Sequence, residues 1–318
     1  MRDRIAIVGA GSIGGAWAVV FARAGMLVSV YDIDPARIDA APGEIRGRIE
    51  SLRDHHLVPP VDEIADRISY GTDLTTAVGD ATYVQECVLE SVDVKRQVFA
   101  ALDAATATDT VLASSTSMIV ASRFAADLAG RDRCVVVHPG NPPYLLPVAE
   151  VVPAPFTSAE TVRRTNHLLI SVGMTPIAVN AEVEGFVFNR LQGALLREAY
   201  CLVRDGVVSA LDVDRIVRLG LGRRWGVIGP FATSDLNTRG GIERHATLMG
   251  PAYARMGAER GQDDPWTPKL VAGVADELHA VQPLDEWDEN VRRRDEALIR
   301  QVAAADAPTG TGDRRPLD

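Results

Sequence analysis

Ile5-Ala6-Ile7-Val8 is a continuous apolar run that stops at Gly9, the pattern of a parallel strand buried on both faces. Trp17, Val20, Phe21 and Ala24 then recur at helical spacing as far as Gly25, and a second apolar run, Leu27 to Tyr31, ends at Asp32. Strand, glycine turn, helix, strand and acid in this order predict one βαβ unit. Further strands are predicted at 83–86, 111–114, 135–137 and 177–179, separated by segments of helical period. The alternation predicts an α/β fold with a doubly wound, parallel Rossmann sheet.

Polar-faced residues 37–57 read as a long helix outside the sheet, broken by Val58-Pro59-Pro60. Thr157 and Glu160 have capping-box spacing before a helix over 162–172 that Gly173 would end. Beyond Val179 strand-like runs give way to helical ones from 186 to 305, so the expected division is a dinucleotide-binding domain, 1–183, and an all-helical domain, 184–318. Within the latter, Gly206 ends one helix and Ser209 with Asp212 caps the next. The Gly-, Pro- and charge-rich residues 308–318 read as a frayed tail.

Composition narrows the classes. The 318 residues, 47% hydrophobic and 24% charged, suit a globular protein of two domains. A net charge of −10 argues against a nucleic-acid partner, whose phosphates need a basic surface. Cys87, Cys134 and Cys201 lack metal-ligand or disulfide spacing, which fits a reducing cytoplasm and no metal site. Met1-Arg2-Asp3-Arg4 leads at once into the first strand, and no run approaches the ~20 apolar residues that span a bilayer, so neither a signal peptide nor a membrane partner is expected.

The first turn carries Gly9-Ala10-Gly11-Ser12-Ile13-Gly14. Gly9 permits the tight turn, Gly11 lets amides approach a pyrophosphate, and Gly14 lets helix pack closely on strand; Ser12 and Ile13 open the helix whose N-terminus holds the anion. Asp32, eighteen residues after Gly14, can accept hydrogen bonds from the adenosine ribose hydroxyls. With Asp34 nearby and no arginine directly after Asp32, a 2′-phosphate is disfavoured and NAD is the expected cofactor. His138 closes the apolar strand 135–137 at the end where open α/β sheets hold ligands, and imidazole suits the base that oxidation of a secondary alcohol requires.

Four segments carry a resemblance: 86–95 (ECVLESVDVK), 114–117 (SSTS), 138–150 (HPGNPPYLLPVAE) and 185–191 (GFVFNRL). Together they resemble the L-3-hydroxyacyl-CoA dehydrogenase family over nearly the whole chain. The wording of 138–144 and of 220–225 (GLGRRW) is most similar to its lambda-crystallin and L-gulonate 3-dehydrogenase branch. The resemblance implies that Glu150 orients and polarises His138. It also implies that Ser117 and Asn189 bond the reacting oxygen or position the substrate, and that Glu90 and Lys95 lie near the nicotinamide. The five-residue spacing of that last pair equally suits a solvated helix pair.

Arg223 and Arg224 stand beside Trp225, and a guanidinium binds a planar carboxylate through two parallel hydrogen bonds. Arg224 matches the arginine of the hydroxy-acid branch. His55, His56, His167, His245 and His279 have no comparable setting and read as surface or packing residues. The resemblance implies NAD-dependent oxidation of the 3-hydroxyl of a small hydroxy acid, L-gulonate leading, by a homodimer joined through its helical domain. The same chemistry on an L-3-hydroxyacyl thioester is the enzymatic alternative, and a non-catalytic, crystallin-like NAD-binding protein is the alternative of another class.

Overall fold

Ile5 and Ile7 of strand β1 (Arg4–Val8) join one hydrophobic core while Ala6 and Val8 join another, so alternate side chains are buried on opposite faces of a sheet covered on both sides. In this computed structural model, which describes residues 4–260, 267–281 and 283–306, eight strands lie in the order β3-β2-β1-β4-β5-β6-β7-β8. They are β1, β2 (Leu27–Tyr31), β3 (Ile68–Gly71), β4 (Tyr83–Glu86), β5 (Val111–Ser114), β6 (Cys134–Pro139), β7 (Val148–Pro153) and β8 (Thr175–Ala178). The first six run parallel, as the βαβ pattern predicts.

Two strands escaped the sequence pattern. β3 is a four-residue edge, and β7 carries Glu150 in the middle of an otherwise apolar run. β7 pairs antiparallel with β6, and β8 pairs parallel with β7, so the last two strands reverse the sheet direction. The terminal strand begins at Thr175, earlier than the predicted 177–179.

Helix α1 (Ser12–Arg23) is buried continuously from Gly14 to Ala22, and Trp17 stacks on Phe21 at 5.3 Å between ring centroids. Ala24, expected on its apolar face, is exposed, and Gly25 follows at φ +90°. Helix α2 (Pro35–Asp54) starts two residues before the predicted 37, because Asp34 accepts from Ala36 N and proline occupies the first turn. It buries Ala41, Ile45, Ile49 and Leu52 on one stripe. Short α3 (Val61–Ala65) and α4 (Leu74–Val78) flank β3, and α5 (Val92–Ala105) links β4 to β5. Helix α6 (Ala159–Ser171) is capped by Ser158, whose Oγ accepts from Thr161 N at 3.2 Å. The expected cap Thr157 is otherwise engaged, accepting from Ala154 N and donating to Cys134 O.

Helix α7 (Phe188–Arg204) opens the helical region, followed by α8 (Ala210–Ile216), a π-helical turn (Val217–Leu221), α9 (Gly222–Trp225), α10 (Pro230–Asn237), α11 (Gly241–Ala258), α12 (Pro268–His279) and α13 (Trp287–Asp306). Gly206, at φ +69°, closes α7, and Ser209 caps α8 by accepting from Asp212 N at 3.1 Å. The described residues form two compact units: one runs up to Asn189 and takes in those from Arg292 onward, the other is Arg190–Val291. The sequence reading gave everything after 183 to the helical domain. The last helix departs from that division from Arg292 onward, where Ile299, 2% exposed, joins the core that contains Tyr144 and Leu145. Residues 308–318, expected as a tail, lie outside the described residues.

Candidate active site

The glycine loop leaves β1 through Gly9, whose φ of +109° favours glycine. A Cβ on Gly9 would lie 2.6 Å from the Cys87 carbonyl oxygen, and one on Gly14 would run into the Gly9 carbonyl. Gly11 differs, because a Cβ there would meet nothing within 4 Å. Gly11 caps α1 without a side-chain hydrogen bond, and no acidic residue stands in the first turn. The first amides of α1, at Ser12 and Ile13, therefore stand at the positive end of a helix with no side-chain cap, the setting an anionic pyrophosphate fits.

Asp32 lies just beyond β2. Its Oδ2 accepts from Ala10 N at 2.7 Å and its Oδ1 from Asp34 N at 3.0 Å, which aims the carboxylate at the loop. Although no arginine directly follows Asp32, Arg37 folds back to donate from Nη2 to the Ala10 carbonyl at 2.7 Å. Glu44 holds the same guanidinium in a forked pair at 3.2 Å.

The carboxyl ends of β1, β4, β5 and β6 come together because the register pairs Val8 with Glu86, Glu86 with Ser114, and Ser114 with Val136, two residues before His138. A cleft of ≈ 290 Å³ opens here, lined among others by Ile13, Glu90, Lys95, Ser117, His138 and Asn141. His138 is buried, and its Nδ1 lies 2.7 Å from Glu150 Oε2. The other oxygen of Glu150 accepts from the amides of Val187 at 2.7 Å and Phe188 at 3.0 Å. Gly185 at φ +75° and Phe186 at φ +49° make a left-handed turn just ahead of those two amides. Burial pushes the Glu150 carboxyl up, but His138 and the two amides outweigh it and leave it below the ordinary carboxylate range. The Phe186 and Phe188 rings stand 5.6 and 6.1 Å from the imidazole centroid.

Asn189 was expected within the helical domain, 184–318. It instead belongs to the first compact unit, where its Nδ2 donates to the Ser117 carbonyl at 2.9 Å. Glu90 Oε1 accepts from Thr116 Oγ1 at 2.6 Å and from the amides of Ser117 and Met118, both at 3.0 Å. Burial raises the Glu90 carboxyl, yet those donors and Lys95 bring it below its ordinary value.

Lys95 is not a solvated partner of Glu90. It is 1% exposed and reaches Glu86, itself 0% exposed, at 2.9 and 3.0 Å, with Glu90 at 3.4 Å. Glu86 also accepts from Ser114 Oγ at 2.5 Å and Val88 N at 2.6 Å. Burial outweighs Lys95, the Ser114 hydroxyl and the Val88 amide, which favour the ionised form, and leaves its carboxyl above the ordinary range. Sequence reasoning missed Glu86, although an acid closing the fully buried strand β4 is a signal that it must be paired. It also missed Ser115, whose Oγ accepts from Trp17 Nε1 at 3.1 Å and Gln85 Nε2 at 2.7 Å, and Asn141 on the cleft wall.

Arg224 lies in the helical unit, on α9, directly after the π-helical turn, and is exposed. Among the helices of that unit, α11 and α12 bury none of their residues, and Phe231 and Leu236 are 79% and 72% exposed.

The open helix terminus above Gly11 and the acid beyond β2 belong to a nicotinamide-dependent dehydrogenase. Residues 4–183 match the family model described as the NAD binding domain of 3-hydroxyacyl-CoA dehydrogenase, and residues 185–277 match that of its C-terminal domain. The chain belongs to the 3-hydroxyacyl-CoA dehydrogenase family, and its cofactor is NAD. It is 42% identical to rabbit (Oryctolagus cuniculus) lambda-crystallin over 74% of this chain and 75% of the relative. It is 34% identical to L-carnitine dehydrogenase of Pseudomonas aeruginosa over 94% and 92% of the two chains. Among solved structures, 5-formyl-3-hydroxy-2-methylpyridine 4-carboxylic acid 5-dehydrogenase, an NAD-dependent dismutase, superposes with a TM-score of 0.82 at 29% identity, covering 96% of this chain and 99% of that one.

Proposed function

We propose that the protein oxidises the 3-hydroxyl of a small, free hydroxy acid, with His138 as the base and Glu150 as the group that holds it. The observation that carries this reading is the 2.7 Å contact between His138 Nδ1 and Glu150 Oε2 in a cleft shared with Ser117 and Lys95. With Nδ1 committed to the carboxylate, Nε2 is the nitrogen that takes the hydroxyl proton. The charge on Glu150 then stabilises the imidazolium. Asn189, tied to the Ser117 carbonyl, and the Ser117 hydroxyl position the alcohol. NAD, held by the amides beyond Gly9, Gly11 and Gly14 and by Asp32, supplies the two-electron acceptor when bound.

Arg224 is the proposed partner of the substrate carboxylate, supported by its exposed guanidinium and by the names of the relatives, one an L-carnitine dehydrogenase and one acting on a pyridine carboxylic acid. L-Gulonate is the leading substrate. NADH production measured across L-gulonate, L-carnitine, other 3-hydroxy acids and 3-hydroxyacyl-CoA thioesters tests the reading. Turnover is expected on free acids, and turnover confined to thioesters would overturn it. Absence of turnover on every substrate, with NAD still bound, would favour a crystallin-like role.

The same reading includes a homodimer through the helical unit, supported by the exposure of Phe231 and Leu236 and by two helices that bury nothing within one chain. Light scattering coupled to gel filtration should give twice the chain mass, and a monomer would refute it.

A further inference from the structure

Glu86, Lys95 and Glu90 put two carboxylates and one ammonium at one corner of the cleft, a net charge of −1. Glu86 accepts every hydrogen bond described for it, from Lys95, Ser114 and Val88, as an ionised carboxylate does. Glu86 is not among the residues that line the cleft, whereas Glu90, His138 and the ammonium-bearing Lys95, itself only 1% exposed, are. If His138 is the base, the reacting carbon lies beside its ring, and the nicotinamide must approach that carbon within the same cleft. The nicotinamide ring is a cation in NAD+ and neutral in NADH.

We propose that this cluster selects the oxidised cofactor. Glu86 neutralises Lys95 from behind, so that the charge of Glu90 is left to face the cationic ring. Without Glu86 the ammonium would cancel Glu90, and the preference would vanish. Glu86 is thus a positioning residue that acts through Lys95. The inference rests on the reading of His138 as the base, and it concerns affinity where that reading concerns turnover.

Titration of the full-length protein with NAD+ and with NADH, by calorimetry and by quenching of tryptophan fluorescence, tests it. In Glu86→Gln the Kd for NAD+ should rise roughly tenfold while that for NADH stays within about twofold, the change expected of one nearby charge in a partly screened site. Glu90→Gln should shift the ratio the same way, and Glu86→Asp should restore it. An unchanged ratio, or equal weakening of both forms, would overturn the proposal. If Glu86→Gln fails to fold, Glu90→Gln decides alone, because Glu90 sits at the partly exposed end of the cluster. Turnover by His138→Gln would sink the base reading and leave the two affinities as a separate result.

Discussion

His138 and Glu150 are cross-strand partners: the antiparallel register of β6 and β7 sets their Cα atoms opposite one another, and the side chains meet at 2.7 Å. Directly opposed residues share one face of a sheet, so the register itself aims both side chains to the same side. The separation of twelve residues is the length of a strand end, a loop and a strand start.

Replacing His138 by Gln should lower kcat by about 10²–10⁴-fold, the range of general-base catalysis, and leave NAD+ affinity unchanged. Steady-state kinetics with calorimetric binding will show it. Retained turnover would remove His138 from the role of base.

Glu150 contributes stability that depends on pH. Because its folded carboxyl titrates below the ordinary value, the contribution is full above the usual carboxylate range and is lost as pH falls through the lowered folded value. Glu150→Gln should therefore be less stable at neutral pH, by about 1–3 kcal/mol for a buried charge-assisted network. The difference should shrink as the medium is acidified below that range. Urea denaturation of both proteins at a series of pH values checks the sign.

The glycines of the loop should separate by phenotype. Gly14→Ala, whose methyl would run into the Gly9 carbonyl, should unfold or badly destabilise the protein. Gly11→Ala has open space and should melt within about a degree of the parent, since a substitution that meets no strain or clash is nearly neutral. It should nonetheless weaken NAD binding, because glycine at this position of the loop lets a pyrophosphate come close to the backbone. Thermal melts with and without NAD distinguish the two.

Cys87 lines the cleft but should be a poor nucleophile. Burial pushes its thiol up to about 12; the hydrogen bond with Ser115 opposes this and the Glu86 carboxylate adds to it. Iodoacetamide at pH 8 should leave it unmodified over hours by intact-mass measurement, since the thiolate is the reacting form. Rapid labelling would mean that the thiolate is far more accessible at this pH than its raised titration allows.

Local chemistry made the first βαβ unit legible. Gly9, Gly14 and Asp32 occupy positions that only the turn geometry explains, and a turn is encoded by its own few residues. His138 could be read because it ends an apolar strand. β7 was hidden since Glu150 interrupts its apolar run, and that polar break is the feature that serves the site. Spacing alone left Lys95 open between a cofactor-side residue and a solvated helix partner, because Glu86, which it meets, lies nine residues back on a strand that the fold, not the spacing, brings under the helix. Arg37 reaches Ala10 across twenty-seven residues for the same reason. The part of the last helix from Arg292 onward carried no sign that it would join the first unit, since its contacts there are distant in sequence: Ile299 lies in the core, and Asp295 accepts from Tyr144 across 151 residues.

The loop between β6 and β7 joins His138 to Glu150 without contributing to their register, which the ladder from Val135–Pro153 to Pro139–Ala149 sets on its own. Asn141, within that loop, lines the wall of the cleft. The His138–Glu150 pairing and this part of the cleft wall are thereby supplied by adjacent stretches of chain. Tyr144 and Leu145 of the same loop enter the core that Ile299 of the last helix joins, so the loop anchors that helix on one side while forming part of the cleft wall on the other.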